Sequence, residues 1–164
     1  MKEQQIAFFV AISFSIIVFY FRDSFRKLKS WGYAGVFLSS FLGDATILFP
    51  SPVLALVAVE GSVLNPSLVA LTAAVGSALG EVTGYLFGYS GQGIVDSNAS
   101  LVSWVEEYGF LTLLVLAATP NPFFDVAGII AGYTSYPFHL FLLATFLGKG
   151  IKFWIVAHVL SHRK

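Results

Sequence analysis

Thr119–Pro120–Asn121–Pro122–Phe123–Phe124–Asp125 interrupts an apolar run that extends from Phe110 to Tyr133. A proline lacks an N–H and its ring clashes with the carbonyl four residues back, so two prolines flanking an asparagine break any helix entering the stretch. In hydrocarbon, an interrupted backbone and an acidic side chain are tolerated only where protein or a watery cavity solvates them. The stretch is therefore the first candidate for a working site. A partial copy, Asp44–Ala45–Thr46–Ile47–Leu48–Phe49–Pro50–Ser51–Pro52, lies inside the earlier apolar run from Tyr33 to Val59. Pro50 and Pro52 break the first run as Pro120 and Pro122 break the second.

Working outward, the composition decides the class. The 164 residues are 57% hydrophobic and only 11% charged, with a mean hydropathy of +0.81. A soluble domain carries about a quarter charged residues, so this composition belongs to an all-α integral membrane protein. Nine basic and nine acidic residues leave no net charge and no basic face, which excludes a nucleic-acid partner. Without cysteine there is no disulfide, thiolate nucleophile or thiolate metal site. His139, His158 and His162 form no spaced set with a carboxylate, so neither a metal nor a cofactor is expected.

The order of charges gives a topology. Gln5 to Phe21 is an unbroken apolar run, followed directly by Arg22, Arg26, Lys27 and Lys29 with no small-residue cleavage site. It reads as a retained transmembrane anchor whose basic flank is cytoplasmic and whose N-terminus is outside. Residues 1–30 form this anchor and basic segment; 31–164 form the membrane domain. The run from Tyr33 to Val59 either crosses once as a kinked helix or turns back at Pro50–Ser51–Pro52 as a re-entrant hairpin. The hairpin is preferred, because the arm after Pro52 is too short to complete a crossing.

Asn65–Pro66 then predicts a helix that runs to about Tyr89, with proline at the first turn, where the missing N–H costs nothing. Gly76, Gly80, Gly84 and Gly88 recur every four residues on one of its faces, a pattern that lets membrane helices approach closely. Ser90 to Tyr108 reads as an outer loop, acidic and free of lysine and arginine. The arms of the second broken run are about ten residues each, or ~15 Å of helix, half of a ~30 Å hydrocarbon core. A re-entrant hairpin is the expected form. Pro137 predicts a last crossing helix to about Leu160, and the basic tail after it falls on the cytoplasmic side.

The two halves repeat. A shift of about seventy residues aligns Pro50–Ser51–Pro52 with Pro120–Asn121–Pro122, Gly61 with Gly132, Pro66 with Pro137 and Glu81 with Lys152. The repeats, about 33–89 and 110–160, each read as a broken hairpin followed by a crossing helix, and they are inverted in the membrane. Inverted repeats with broken helices are a signature of secondary transporters, with the site near the midplane.

Asp44, Glu81, Asp125, Lys149 and Lys152 all fall in apolar runs. Each costs on the order of 2.5–3.5 kcal/mol near the bilayer centre, so partners or water are required. Lys152 lies near enough to the cytoplasmic helix end to snorkel. Lys149 is deeper, and its depth permits a Glu81–Lys149 pair, as a structural lock or as a proton or headgroup site. Asp44 and Asp125, near the hairpin tips, either cap helices or carry protons, since desolvation favours the neutral form of a carboxyl.

The arrangement from Tyr33 to Leu160 resembles the DedA superfamily, also called the SNARE-associated or VTT domain family. Its most specific piece is Pro120–Asn121–Pro122–Phe123–Phe124–Asp125–Val126–Ala127–Gly128 followed by Gly148–Lys149, which looks closest to the eukaryotic vacuole membrane protein branch. Typical bacterial members carry arginines around the second hairpin, whereas Val115 to Gly132 contains none here. The resemblance implies two re-entrant hairpins with crossing helices, and flippase or scramblase activity on membrane lipids. It carries Asn121, Asp125 and Lys149 over as functional positions, and Asp44 and Glu81, more loosely, as acidic positions coupled to protons.

The expected function is therefore lipid translocation through a hydrated groove between the hairpins. A proton- or ion-coupled carrier of a small solute, and a non-transporting scaffold, are the alternatives. The glycine face serves either a homodimer or packing within the chain. No nucleophile with a base and no metal cluster is present, so an enzyme is not expected. Short loops without a soluble domain suit a prokaryotic cell membrane.

Overall fold

The computed structural model of the chain describes residues 31–45, 53–91, 100–120 and 124–161. The expected N-terminal anchor, the breaks at Pro50, Pro52 and Pro122, and Asn121 lie outside the described residues. Within them the chain forms helices: α1 (Tyr33–Asp44), α2 (Val53–Val63), α3 (Pro66–Gly80), α4 (Val82–Tyr89), α5 (Ser100–Ala118), α6 (Phe124–Tyr133) and α7 (Phe138–Ser161). No strand occurs among the described residues.

The helix after Asn65 starts where proline chemistry requires. The Asn65 side chain accepts from the N–H groups of Ser67 and Leu68 at 3.1 and 3.2 Å, and Pro66 occupies the first turn. Glu81, between α3 and α4, keeps a helical φ of −64°. Its N–H donates to Ser77 O and its own carbonyl accepts from Tyr85 N. Pro66–Tyr89 is thus one run of 24 residues, about 36 Å long and sufficient to cross a bilayer. Phe138–Val159 in α7 is the second such run.

The polar loop expected from Ser90 to Tyr108 is partly helical instead, since α5 begins at Ser100. Val102 and Val105 face inward while Ser103, Glu106 and Glu107 are exposed, so two inward valines hold a segment whose composition reads as loop. At Gly109 the backbone takes φ 26° and ψ −90°, which interrupts the helix. Thr112 Oγ1 donates to Trp104 O at 2.9 Å, although eight residues along a straight helix span ~12 Å. Ser100–Ala118 is long and apolar enough to cross a membrane, but it turns a sharp corner at its middle. The half after Gly109, together with α1, α2 and α6, spans only about half a bilayer per helix.

Glycines set how these pieces pack. A side chain at Gly76 would collide with Phe37 O, and one at Gly80 with Phe41 O, so α1 lies directly against α3 and runs parallel to it. Side chains at Gly88 and Gly132 would collide with Ile129 O and Tyr85 O, which brings α6 onto α4. Gly61 faces Ala157, joining α2 to α7, and Gly148 faces Leu114 O and Ala117, joining α5 to α7. The four-residue glycine stripe is therefore used within the chain, by α1 at Gly76 and Gly80 and by α6 at Gly88. Gly84 alone leaves ordinary van der Waals room.

Two apolar clusters fill the interior, one around Leu113, Ile130 and Phe141, the other around Val36, Val57 and Phe153. The outer faces are apolar as well. Leu71, Val75 and Leu79 on α3 and Leu143, Leu147 and Ile151 on α7 form exposed rows at helical spacing. Such rows suit lipid contact rather than water.

Candidate functional site

The site lies where α1, α3 and α7 converge. The close contact of Gly76 and Gly80 with α1 sets the two helices in register, so that Asp44 at the end of α1 is level with Glu81. Helix α7 runs antiparallel to α3: Ser67 Oγ meets His158 Nε2 at 3.3 Å near one end, and Gly150 sits beside Ala74 further along. Side chains on a helix lean toward its N-terminus. The long stem of Lys149 therefore leans along α7 toward the level of both carboxylates.

Lys149 Nζ donates to Asp44 Oδ2 and to Glu81 Oε1, each at 2.5 Å. Lys149 and Glu81 are 3% and 2% exposed, while the Asp44 side chain keeps 12% exposure. The Phe124 ring lies 5.0 Å from Nζ and closes one side with a π face. Gly128, on α6, faces Glu81 Oε2. The structure forms the Glu81–Lys149 pair that their depths permit and adds Asp44, which the sequence places near a hairpin tip.

Two further charges lie within electrostatic reach. Asp125 stands in the first turn of α6, a position favoured for an acid, and interacts with Lys149, Asp44 and Lys152. Lys152, part-buried, interacts with all three carboxylates and with Lys149, and its ammonium lies 5.6 Å from the Phe153 ring. When all five groups are ionised, three carboxylates face two ammonium groups and one negative charge is unbalanced. Pro120 is exposed at the end of α5. Asn121 cannot be placed relative to this cluster, lying outside the described residues. Ser40, Ser77 and Thr145 are fully buried nearby with no hydrogen-bond partner, and the sequence reading did not single them out as site residues.

Comparison with known proteins identifies the family. A family model described as "VTT domain" matches residues 49–162. The chain belongs to the VTT-domain family. Vacuole membrane protein KMS2 of Arabidopsis thaliana is 49% identical over 51 residues, covering 31% of this chain and 12% of that protein. Vacuole membrane protein 1 homolog of Dictyostelium discoideum is 45% identical over 55 residues, 34% of this chain and 13% of the relative. Vacuole membrane protein 1 of Homo sapiens is 47% identical over 47 residues, 29% and 12% respectively. The matched segments thus span about an eighth of the relatives' length. These relatives are eukaryotic vacuole membrane proteins, as the Pro120–Gly128 motif indicated and against the expectation of a prokaryotic cell membrane. No solved structure matches the chain.

Proposed function

We propose that this VTT-domain protein translocates membrane lipids, its buried charge cluster receiving a polar headgroup while the acyl tails stay in the bilayer. The observation that carries the reading is the Asp44–Lys149–Glu81 triad, with Asp125 and Lys152 beside it, inside a shell of lipid-facing apolar residues. Glu81 stands ~12 Å from the Tyr89 end of its ~36 Å run, a depth at which no ionised group is stable without partners. An ammonium shared by two carboxylates has an exchangeable partner. A headgroup phosphate competes for Lys149 or Lys152, and a headgroup amine for the carboxylates.

The half-length helices support the same reading. In this proposal α1 with α2, and the second half of α5 with α6, are re-entrant hairpins in inverted repeats. The contacts exchange accordingly: α2 packs on α7 of the second half through Gly61, and α6 packs on α4 of the first half through Gly132. Likewise Gly76 receives α1 and, about seventy residues later, Gly148 receives α5. Helix ends placed at half depth leave polar backbone groups that either protein or water must solvate, and in this reading a hydrated groove does so. Protons are candidate partners of the same carboxylates.

The test is lipid flip-flop in reconstituted vesicles, with a fluorescent phospholipid and dithionite quenching, for wild type and Asp125→Asn. Quenching of both leaflets by wild type, slowed in the variant, supports a pathway past α6. A wild type that matches empty vesicles rejects scrambling of that lipid, and uptake of a soluble substrate under an imposed pH gradient would then favour the solute carrier.

A further inference from the structure

We propose that Ser40, Ser77 and Thr145 line an internal water site that hydrates the Asp44–Lys149–Glu81 triad. The inference stands apart from the cargo, because it rests on hydroxyls and on nothing about lipids. All three residues are 0% exposed, and none of their oxygens has a hydrogen-bond partner. Each precedes a triad member by one helical turn: Ser40 before Asp44, Ser77 before Glu81, Thr145 before Lys149. A spacing of four residues puts each hydroxyl on the same helix face as its ionised neighbour. The parallel register of α1 and α3 sets Ser40 level with Ser77. The antiparallel register of α7 sets Thr145 near the level of the carboxylates. The hydroxyls thus flank the ion pairs on all three converging helices.

Six other described hydroxyls show that this is a departure. Ser62, Thr72, Thr83, Ser90, Thr119 and Thr134 all donate to a carbonyl three or four residues back, the usual way a helical hydroxyl is satisfied. Ser40, Ser77 and Thr145 make no such bond. A buried hydroxyl left without a partner costs about 1–3 kcal/mol, so three beside one charge cluster call for a polar guest. Water is the guest that satisfies both a donor and an acceptor, and buried waters take up such groups at about three hydrogen bonds each. Among the described residues no three acidic or histidine side chains are placed to hold a metal ion. The triad still needs acceptors and donors beyond its two ion pairs, since an ammonium has three N–H groups and a carboxylate about four lone-pair sites.

The purified full chain tests this in detergent micelles, by thermal unfolding followed through tryptophan fluorescence. Thr145→Val keeps shape and removes only the hydroxyl, and Ser77→Ala does nearly the same. Empty orphan hydroxyls gain by removal, whereas a water that loses a partner is destabilised. Both variants are therefore expected to melt roughly 2–4 °C lower than wild type, equally in choline chloride and in sodium chloride. A variant that melts at or above wild type removes that hydroxyl from the site, and the proposal fails if both do. A wild-type melting point raised by sodium alone, with the rise lost in the variants, overturns water in favour of an alkali cation. Radiolytic hydroxyl-radical footprinting of wild type gives an independent readout, since bound water labels buried neighbours. Phe124, beside Lys149, should be labelled several-fold faster, relative to its intrinsic reactivity, than Leu113 and Val57, which are fully buried in the apolar clusters. Equal rates overturn the site.

Discussion

Removing the ammonium from the triad should cost the protein far more than removing the whole triad. In Lys149→Met the carboxylates of Asp44 and Glu81 lose the cation that each contacts at 2.5 Å, in a place where Glu81 is 2% exposed. Breaking a buried pair from one side destabilises by about 3–5 kcal/mol, because the remaining charge is neither solvated nor compensated. At roughly 2–4 °C per kcal/mol for a chain of this size, the melting point should fall by roughly 6–20 °C. Lys149→Arg keeps the charge but widens the head, and belongs between wild type and the methionine variant. The informative comparison is Asp44→Leu/Glu81→Met/Lys149→Met, which removes all three charges at once. Replacement of a buried ionic group by apolar side chains of similar volume is often harmless or stabilising by about 1–4 kcal/mol, so this variant should recover most of the loss. Tryptophan fluorescence on heating in micelles reads all four proteins. The reasoning is refuted if Lys149→Met melts within about 2 °C of wild type, or if the triple variant melts no higher than the single one. The triple variant also separates roles: a structural lock leaves lipid flip-flop intact once stability is restored, whereas an exchange site does not.

Other positions give contrasting expectations. Gly84→Ala meets only ordinary contacts and improves helix propensity by about 0.5–1 kcal/mol, so its melting point should hold or rise by a few degrees. Gly132→Ala puts a carbon onto Tyr85 O; it should separate α6 from α4 and show as lost monodisperse protein on size-exclusion chromatography. Asn65→Ala removes the acceptor of the Ser67 and Leu68 N–H groups and should lower the melting point by an amount set by about 1 kcal/mol. Tyr85→Phe loses the 2.6 Å bond to Tyr136 O that ties α4 to the turn before α7. Its cost is about 1 kcal/mol, and amide exchange should quicken around Tyr136.

What the sequence disclosed and what it concealed follow from the range of the interactions involved. The helix opened by Asn65–Pro66 and the one opened after Pro137 were legible because caps and proline act within one turn. The depth of Glu81 and Lys149 could be counted along single helices, so a pair between them was conceivable from one dimension alone. Asp44 could not be assigned to the pair that way. Its place depends on α1 lying against α3 with Gly76 on Phe37 O and Gly80 on Phe41 O, a register between helices that no local pattern states. The glycine stripe announced close approach but not the partner, and it divides between α1 and α6 rather than serving one surface. The Ser100–Tyr108 helix was hidden because only Val102 and Val105 face inward and its corner at Gly109 turns on a single backbone φ. The hydroxyls were written plainly at four-residue spacing before Asp44, Glu81 and Lys149. That spacing acquires meaning only when burial shows three oxygens without partners and other described helical hydroxyls show the carbonyls that they bond three or four residues back. In a membrane protein the charged residues mark where a site is. The small polar ones around them decide whether it is dry, and a dry triad locks the helices while a wet one can exchange its partners.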